Sequence, residues 1–287
     1  MNTSLAPLTR MLSPLEPRTT VSLRLAISPA EEHLFLSADY SQLELRILAH
    51  LSSDATLIRT LSDGNDVFRS MAAEIHQCPE SSVSESMRQQ AKQIVYGVIY
   101  GIGDKSLSEQ LGVSISEAAK FMESFKTKYP GVRSFLFECV ASARRTGYVE
   151  TMTGRRRRLE DIDHSQQARR AAAERQAINT RVQGSAADLV KTGMVNIDQM
   201  MSHTWPHQQP IKWTQARSRE SYTESRSGAW LVLQLHDELI YEVTGDDLVQ
   251  AALIVKQGME TALRLSVPTP VRLKVGANWG ELQDFTL

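Results

Sequence analysis

The sequence predicts an α+β fold, and three features carry that expectation. Leu34-Phe35-Leu36-Ser37-Ala38 is a short apolar run closed by Asp39, the pattern of a buried strand. Two further apolar runs, Leu231–Leu235 and Leu239–Val243, flank the polar tripeptide His236-Asp237-Glu238, which reads as a β-hairpin. Between these strands lie long stretches with helical periodicity.

The elements follow in order. Residues 1–30 are polar, contain proline and have little period. After the strand at 34–38, Leu43, Ile47 and Leu51 recur at i, i+4 and i+8, so residues 41–61 read as one helix. Ser62-Asp63-Gly64 breaks it, and 66–77 reads as a short helix. Serines 81, 82 and 84 precede a helix over 85–100, stopped near Gly101 and Gly103. Ser116 is a candidate cap for a helix over 117–129 that ends at Pro130-Gly131, and another helix runs to about Thr146. Residues 147–154 suggest a small hairpin ahead of four arginines, 155–158. Residues 165–201 read as one long helix rich in Ala, Gln and Arg. Residues 202–228 are polar and aperiodic and read as an insert. After the 231–243 hairpin come a helix over 246–265 and a strand over 271–275.

Composition narrows the class. The 287 residues are 41% hydrophobic and 23% charged, ordinary values for a globular protein with a real core. No apolar run approaches the roughly 18 residues that cross a bilayer, so no membrane partner is expected. No signal-peptide pattern opens the chain. Cys78 and Cys139 lie in no zinc-like or disulfide-like spacing, and a reducing compartment is the default. The net charge of −1 hides an asymmetry. Between Arg133 and Arg181 there are 11 Arg and no Lys against 6 acids, leaving the rest of the chain at −6. A basic stretch inside an acidic remainder suits a polyanion beside a cation site, although a solvated helix face explains the arginines equally well.

Four constellations carry chemistry. Asp39, at the end of a strand, presents a carboxylate from a rigid support; taken alone, it reads at least as well as the N-cap of the following helix. Asp237 and Glu238 are adjacent acids at a hairpin tip, where Asn-Gly would turn the chain more easily. Neighbouring carboxylates repel, and a cation relieves that cost. Mg²⁺ is usually held by one or two carboxylates plus substrate phosphates, so Asp39 and Asp237 together suit a two-metal site. Arg88, Lys92 and Tyr96 share a helix face, followed one turn later by Tyr100-Gly101. Two cations there suit a triphosphate and the aromatic suits a base, while an ordinary surface face remains the alternative. Lastly, the 133–181 stretch runs into Gln183-Gly184-Ser185-Ala186-Ala187-Asp188. Arg and Gln on a helix follow phosphates and groove edges without reading sequence, and the small residues permit a close backbone approach.

Taken together, these residues resemble the family A DNA polymerases, over most of the chain from about residue 34 onward. Asp39-Tyr40-Ser41-Gln42-Leu43-Glu44-Leu45-Arg46 is similar to the family's motif A, Arg88-xxx-Lys92-xxx-Tyr96-Gly97-xx-Tyr100-Gly101 to motif B, and His236-Asp237-Glu238 to motif C. The resemblance implies a right-hand fold with an antiparallel palm sheet and helical fingers. It implies that Asp39, Asp237 and the Tyr40 carbonyl hold two Mg²⁺, with Mn²⁺ as a substitute. Glu238 becomes an auxiliary acid near the primer end, and Lys92 a proton donor to pyrophosphate. Gln42, Glu44, Arg88, Lys92 and Tyr96 are implied to contact the incoming deoxynucleoside triphosphate, Glu44 as the gate against a 2′-hydroxyl. Tyr100, Arg175, Asn179, Gln183 and His236 are implied to contact primer–template DNA. Within the family, Leu45–Ser52, Arg88–Ile94, Trp279–Phe285 and Phe68 resemble the eukaryotic theta branch, with the nu branch next. That branch implies a nuclear enzyme serving double-strand-break end joining.

The expected organisation is a leader and first part of the palm over 1–53, fingers over 54–164, and the second part of the palm over 165–287 with its insert at 202–228. About 33 residues precede the motif A strand, so the thumb and exonuclease-like domain of the family are expected to be missing. The leading expectation is template-directed nucleotidyl transfer to a primer 3′ end. A truncated, non-catalytic DNA-binding fragment is the alternative. A phage-type single-subunit RNA polymerase shares the fold, but Glu44 argues against it.

Overall fold

The computed structural model describes residues 22–64, 66–206 and 227–287. Its centre is a five-stranded antiparallel sheet in the order β4-β5-β1-β6-β7. Strand β1 (His33–Tyr40) is the predicted apolar run, and it sits in the middle because Leu36 and Ala38 are fully buried. It pairs on one side with β5 (Glu238–Thr244) and on the other with β6 (Val271–Gly276). Strand β4 (Ala229–Leu235) pairs with β5 as the expected hairpin, with a bulge between Leu231 and Leu233. A short edge strand, β7 (Gln283–Phe285), was not predicted; three residues give too little alternation to read.

The predicted helix over 41–61 is two helices. Helix α1 (Leu43–Ser52) ends at Ser53, a non-glycine residue with φ of +50°, and Asp54 caps α2 (Ala55–Ser62) by accepting from the Leu57 amide at 2.9 Å. Position 42, a glutamine, stands at the start of α1, so Asp39 is not its cap. Next come α3 (Val67–Ile75), α4 (Glu85–Ile99), an unforeseen α5 (Asp104–Leu111) and α6 (Ile115–Lys128). The cap of α6 is Ser114 rather than Ser116: its hydroxyl accepts from the Glu117 amide, and Glu117 returns the bond. Pro130 opens α7 (Pro130–Thr146) instead of ending α6, in keeping with proline's fit to a first helical turn.

Three of the four arginines predicted to follow the small hairpin form its second strand. Strand β2 (Tyr148–Glu150) pairs with β3 (Arg156–Arg158). The predicted helix over 165–201 is α8 (Gln167–Asn179) and α9 (Ser185–Thr204), joined by a π-helical turn over Thr180–Gly184. Most of the predicted insert lies outside the described residues, as does most of the leader.

Helices α9 and α10 (Leu248–Glu260) pack on each other beneath one face of the sheet. The buried Tyr40 hydroxyl reaches across to donate to the Met259 carbonyl at 2.6 Å. Gly258 makes the close crossing possible, since a Cβ there would collide with Ile197. A second, smaller core of Cys139, Ala143, Val149, Leu159, Ile162, Ala173, Ala177 and Ile178 seats α7, the arginine hairpin and α8 together. Cys78 and Cys139 are both free thiols. Among the described residues, no helix is long and apolar enough to cross a membrane.

Candidate active site

Strand register brings the acids together. Asp39 is the penultimate residue of β1 and pairs directly with Glu238, the first residue of β5. Asp237 lies in the two-residue turn before β5, and the Tyr40 amide donates to its carbonyl at 3.4 Å. His236 holds that turn with φ of +56°. Ser37, on the same face of β1, donates to Glu238 Oε1 at 2.6 Å and fixes that side chain.

Burial raises Asp39 to about 6, and the neighbouring charges of Asp237 and Glu238 push the same way. Arg272 and Lys274, on β6 directly across from β1, oppose the rise. Asp237 is also raised, by burial first and by Glu238, against its own amide and the charge of His236. The cluster is thus short of positive charge. Among the described residues, no three His, Cys, Asp or Glu side chains form a ready-made cage. Two hard carboxylates on a rigid edge fit Mg²⁺, which takes few protein ligands and completes its shell with phosphates and water.

A second group meets these acids from α4. Tyr96 is mostly buried between Phe68, at 5.9 Å between ring centroids, and Tyr100, at 5.7 Å and nearly parallel. Burial and the charges of Glu44 and Asp237 push its hydroxyl up to about 12, so the ring lies within electrostatic reach of motifs A and C. The Tyr100 hydroxyl donates to Glu44 Oε2, and Gln183 also hydrogen-bonds to it. Gly101, with φ of +65°, lets the Arg175 stem pass about 3.0 Å from where a Cβ would stand. The structure therefore links Glu44, Tyr96, Tyr100 and Gln183 through ring contacts and hydrogen bonds, with Arg175 packed against Gly101 beside Tyr100, and Tyr96 is the member that feels the charge of Asp237. Asn179 lies one turn along from Arg175, and its buried Oδ1 has no hydrogen-bond partner among the described residues.

The cations lie farther out. Arg88 is two turns before Tyr96, roughly 12 Å along the helix axis at 1.5 Å per residue. Its Nε donates to Asp66 at 2.6 Å and its Nη1 to Glu85 at 3.2 Å. Lys92 is exposed, with its Nζ 6.0 Å from the Tyr96 ring centroid. Gln42 is half-buried at the left-handed residue that opens α1. Motif A's arginine is structural: Arg46 is 6% exposed and donates to the carbonyls of Ser41, Leu61 and Pro268.

Sequence reasoning passed over Ser37, Asp66, Arg272 and Lys274. The β6 pair carries a readable signal, because Arg272 and Lys274 alternate with Val271, Leu273 and Val275. Small Gly184 does admit a close approach, but by the hairpin: a Cβ there would lie 2.8 Å from Thr151 Cγ2.

The model of DNA polymerase family A matches residues 13–281. The chain belongs to DNA polymerase family A. DNA polymerase theta of Mus musculus is 48% identical over 93% of this chain, and that of Drosophila melanogaster 37% over 93%. DNA polymerase I of Lactococcus lactis subsp. cremoris is 37% identical over 90%. A solved structure, the POL domain of Pol1 from M. smegmatis in complex with DNA primer-template and dNTP, superposes with a TM-score of 0.78 at 36% identity over 90% of this chain. The chain spans 11% and 12% of the theta relatives, 27% of the Lactococcus polymerase and 42% of the solved chain.

Proposed function

We propose that this chain carries the catalytic core for template-directed addition of deoxynucleotides to a primer 3′ end. The observation that supports it most is the register pairing of Asp39 with Glu238 beside Asp237, which sets three acids from two distant motifs at one sheet edge. Asp39 and Asp237, with the Tyr40 carbonyl, would hold two Mg²⁺, and Mn²⁺ would substitute. Bound there, such ions activate the primer hydroxyl and offset the charge of leaving pyrophosphate. Glu238, held by Ser37, stands beside the primer end as an auxiliary acid. Arg88 and Lys92 grip the triphosphate, and Lys92 hands a proton to the pyrophosphate.

Tyr96 stacks on the incoming nucleotide, and Gln42 and Glu44 line its sugar, Glu44 excluding a 2′-hydroxyl. Tyr100, Arg175, Asn179, Gln183 and His236 contact primer and template. The similarity to theta polymerases from two animals supports a nuclear enzyme of DNA repair, specifically double-strand-break end joining. Residues 1–53 and 165–287 then form the palm, and 54–164 the fingers.

Asp237→Ala in a longer chain that carries the upstream part tests the assignment. Primer extension should vanish, and full activity in that variant refutes it. The short span relative to the theta polymerases favours one other reading, a DNA-binding fragment without catalysis. Measurable extension by the 287-residue chain with Mg²⁺ eliminates it.

A further inference from the structure

Arg88 is held chiefly by α3 and its cap, with Glu85 of its own helix adding a longer and more exposed ion pair. One oxygen of Asp66, Oδ1, accepts from the Phe68 and Arg69 amides at 3.0 and 3.2 Å and caps α3. The other, Oδ2, accepts from Arg88 Nε at 2.6 Å, a short charge-assisted bond. The ring of Phe68, buried at 2% exposure, lies 5.7 Å from the guanidinium carbon. Arg69 extends the same platform by donating from Nη1 to the carbonyls of Glu80 and Val83, the residues that lead into α4. Asp66 therefore binds α3's own amides and the Arg88 side chain at once, so the arginine's position is tied to a helix end rather than to a mobile side chain.

The geometry leaves donors to spare. A guanidinium has five N–H groups in a fixed fork. Asp66 takes the Nε–H, and Glu85, 66% exposed, takes one from Nη1. Among the described residues, the other three N–H groups have no hydrogen-bond partner and stay open to a phosphate. A free arginine side chain loses much rotamer entropy when it binds, and a preset one loses less. We propose that Asp66 is a positioning residue for nucleotide binding, fixing the Arg88 guanidinium so that its open edge meets the triphosphate. This rests on the reading of Arg88 as a triphosphate ligand.

The test is equilibrium binding of dATP with Mg²⁺ to the 287-residue chain by calorimetry. Asn and Ser cap helices about as well as Asp, so Asp66→Asn and Asp66→Ser keep α3 while removing the carboxylate. Each should weaken dATP binding about tenfold, the scale of one partly exposed charge-assisted hydrogen bond. The loss should disappear in an Arg88→Ala background and persist in a Lys92→Ala background, since coupling is confined to groups in contact. Unchanged or tighter binding in both Asp66 variants overturns the proposal, because the carboxylate would then be idle or a competitor of the phosphates. A loss of equal size with and without Arg88 also overturns it. If Arg88→Ala alone leaves dATP affinity unchanged, the triphosphate reading of Arg88 has failed, and the positioning role falls with it.

Discussion

The sheet and helix α4 position their candidate site residues in different ways. On the sheet, Asp39, Asp237 and Glu238 stand at the ends of paired strands, and their spacing follows from the register of a sheet whose centre is fully buried. On α4, Arg88, Lys92 and Tyr96 share one helix face that runs from exposed Lys92 to mostly buried Tyr96, and Arg88 and Tyr96 are set by an ion pair and ring contacts with α3 and its cap Asp66. Backbone pairing fixes the first site; side chains fix the second. Charges on the sheet edge should tolerate no replacement, whereas those on the helix should fail by degrees.

The largest expected effect tests that ranking. Asp39→Ala or Asp237→Ala should each cost several kcal/mol in the reaction barrier, about a thousandfold or more in primer extension. Arg88→Ala should cost less, about ten- to a hundredfold, chiefly as weaker nucleotide binding. Equal losses at both sites, measured by single-nucleotide extension, would erase the distinction.

Next in size is the palm's foundation. Gly258→Ala drives a methyl group into Ile197 at the α9–α10 crossing. It should lower stability by about 1–3 kcal/mol, the usual penalty for overpacking, read by urea denaturation. A neutral result would mean that the helices slide apart easily and that the sheet above them is not rigidly supported.

Two buried tyrosines sharpen the contrast further. The Tyr40 hydroxyl beneath the sheet donates to the Met259 carbonyl, while the Tyr129 hydroxyl at the end of α6 is buried without a hydrogen-bond partner among the described residues. Tyr40→Phe should therefore cost about 1 kcal/mol in denaturant melts, and Tyr129→Phe should be neutral or stabilising. The opposite order would show that the Tyr129 hydroxyl, not the Tyr40 hydroxyl, makes the stabilising hydrogen bond.

The smallest effect concerns acid. Burial pushes the Asp247 carboxyl up, but hydrogen bonds from Ser227, Thr244, the Gly228 amide and Trp205 together outweigh it and hold its pKa below the usual 3.8. A depressed carboxylate contributes its full stability above its unfolded pKa and loses it as pH falls through the folded value. Wild-type melting temperature should drop as pH falls from about 4 toward 2, and Asp247→Asn should show a shallower drop from a lower start. An unchanged slope in the variant would remove Asp247 from the acid response.

The same contrast marks what the sequence made legible. The central strand and the motif C hairpin could be read because apolar runs end abruptly in acids, and strand pairing then leaves little freedom. Helix α4 could be read from Ser84 to its glycines. The break after Ser52 could not, because the Leu43, Ile47, Leu51 period runs smoothly into a turn made by a left-handed serine. The π turn at 180–184 was hidden for the same reason: an extra residue in a helix leaves the composition unchanged. Asp66 was missed because its task, holding Arg88 from a neighbouring helix, has no local pattern; 22 residues separate the pair. The motifs themselves carried the family, and the three-dimensional tie between Tyr100, Glu44 and Gln183 emerged only from the fold.

Manganese binding is the most direct test of the palm assignment. Electron paramagnetic resonance can count Mn²⁺ held by the chain in the presence of a deoxynucleoside triphosphate. If Asp39 and Asp237 share their ions, Asp39→Asn and Asp237→Asn should each weaken binding strongly, and the double variant should bind scarcely worse than either single one. Wild-type affinity in both single variants, or losses that simply add, would contradict a shared site and with it the proposed chemistry.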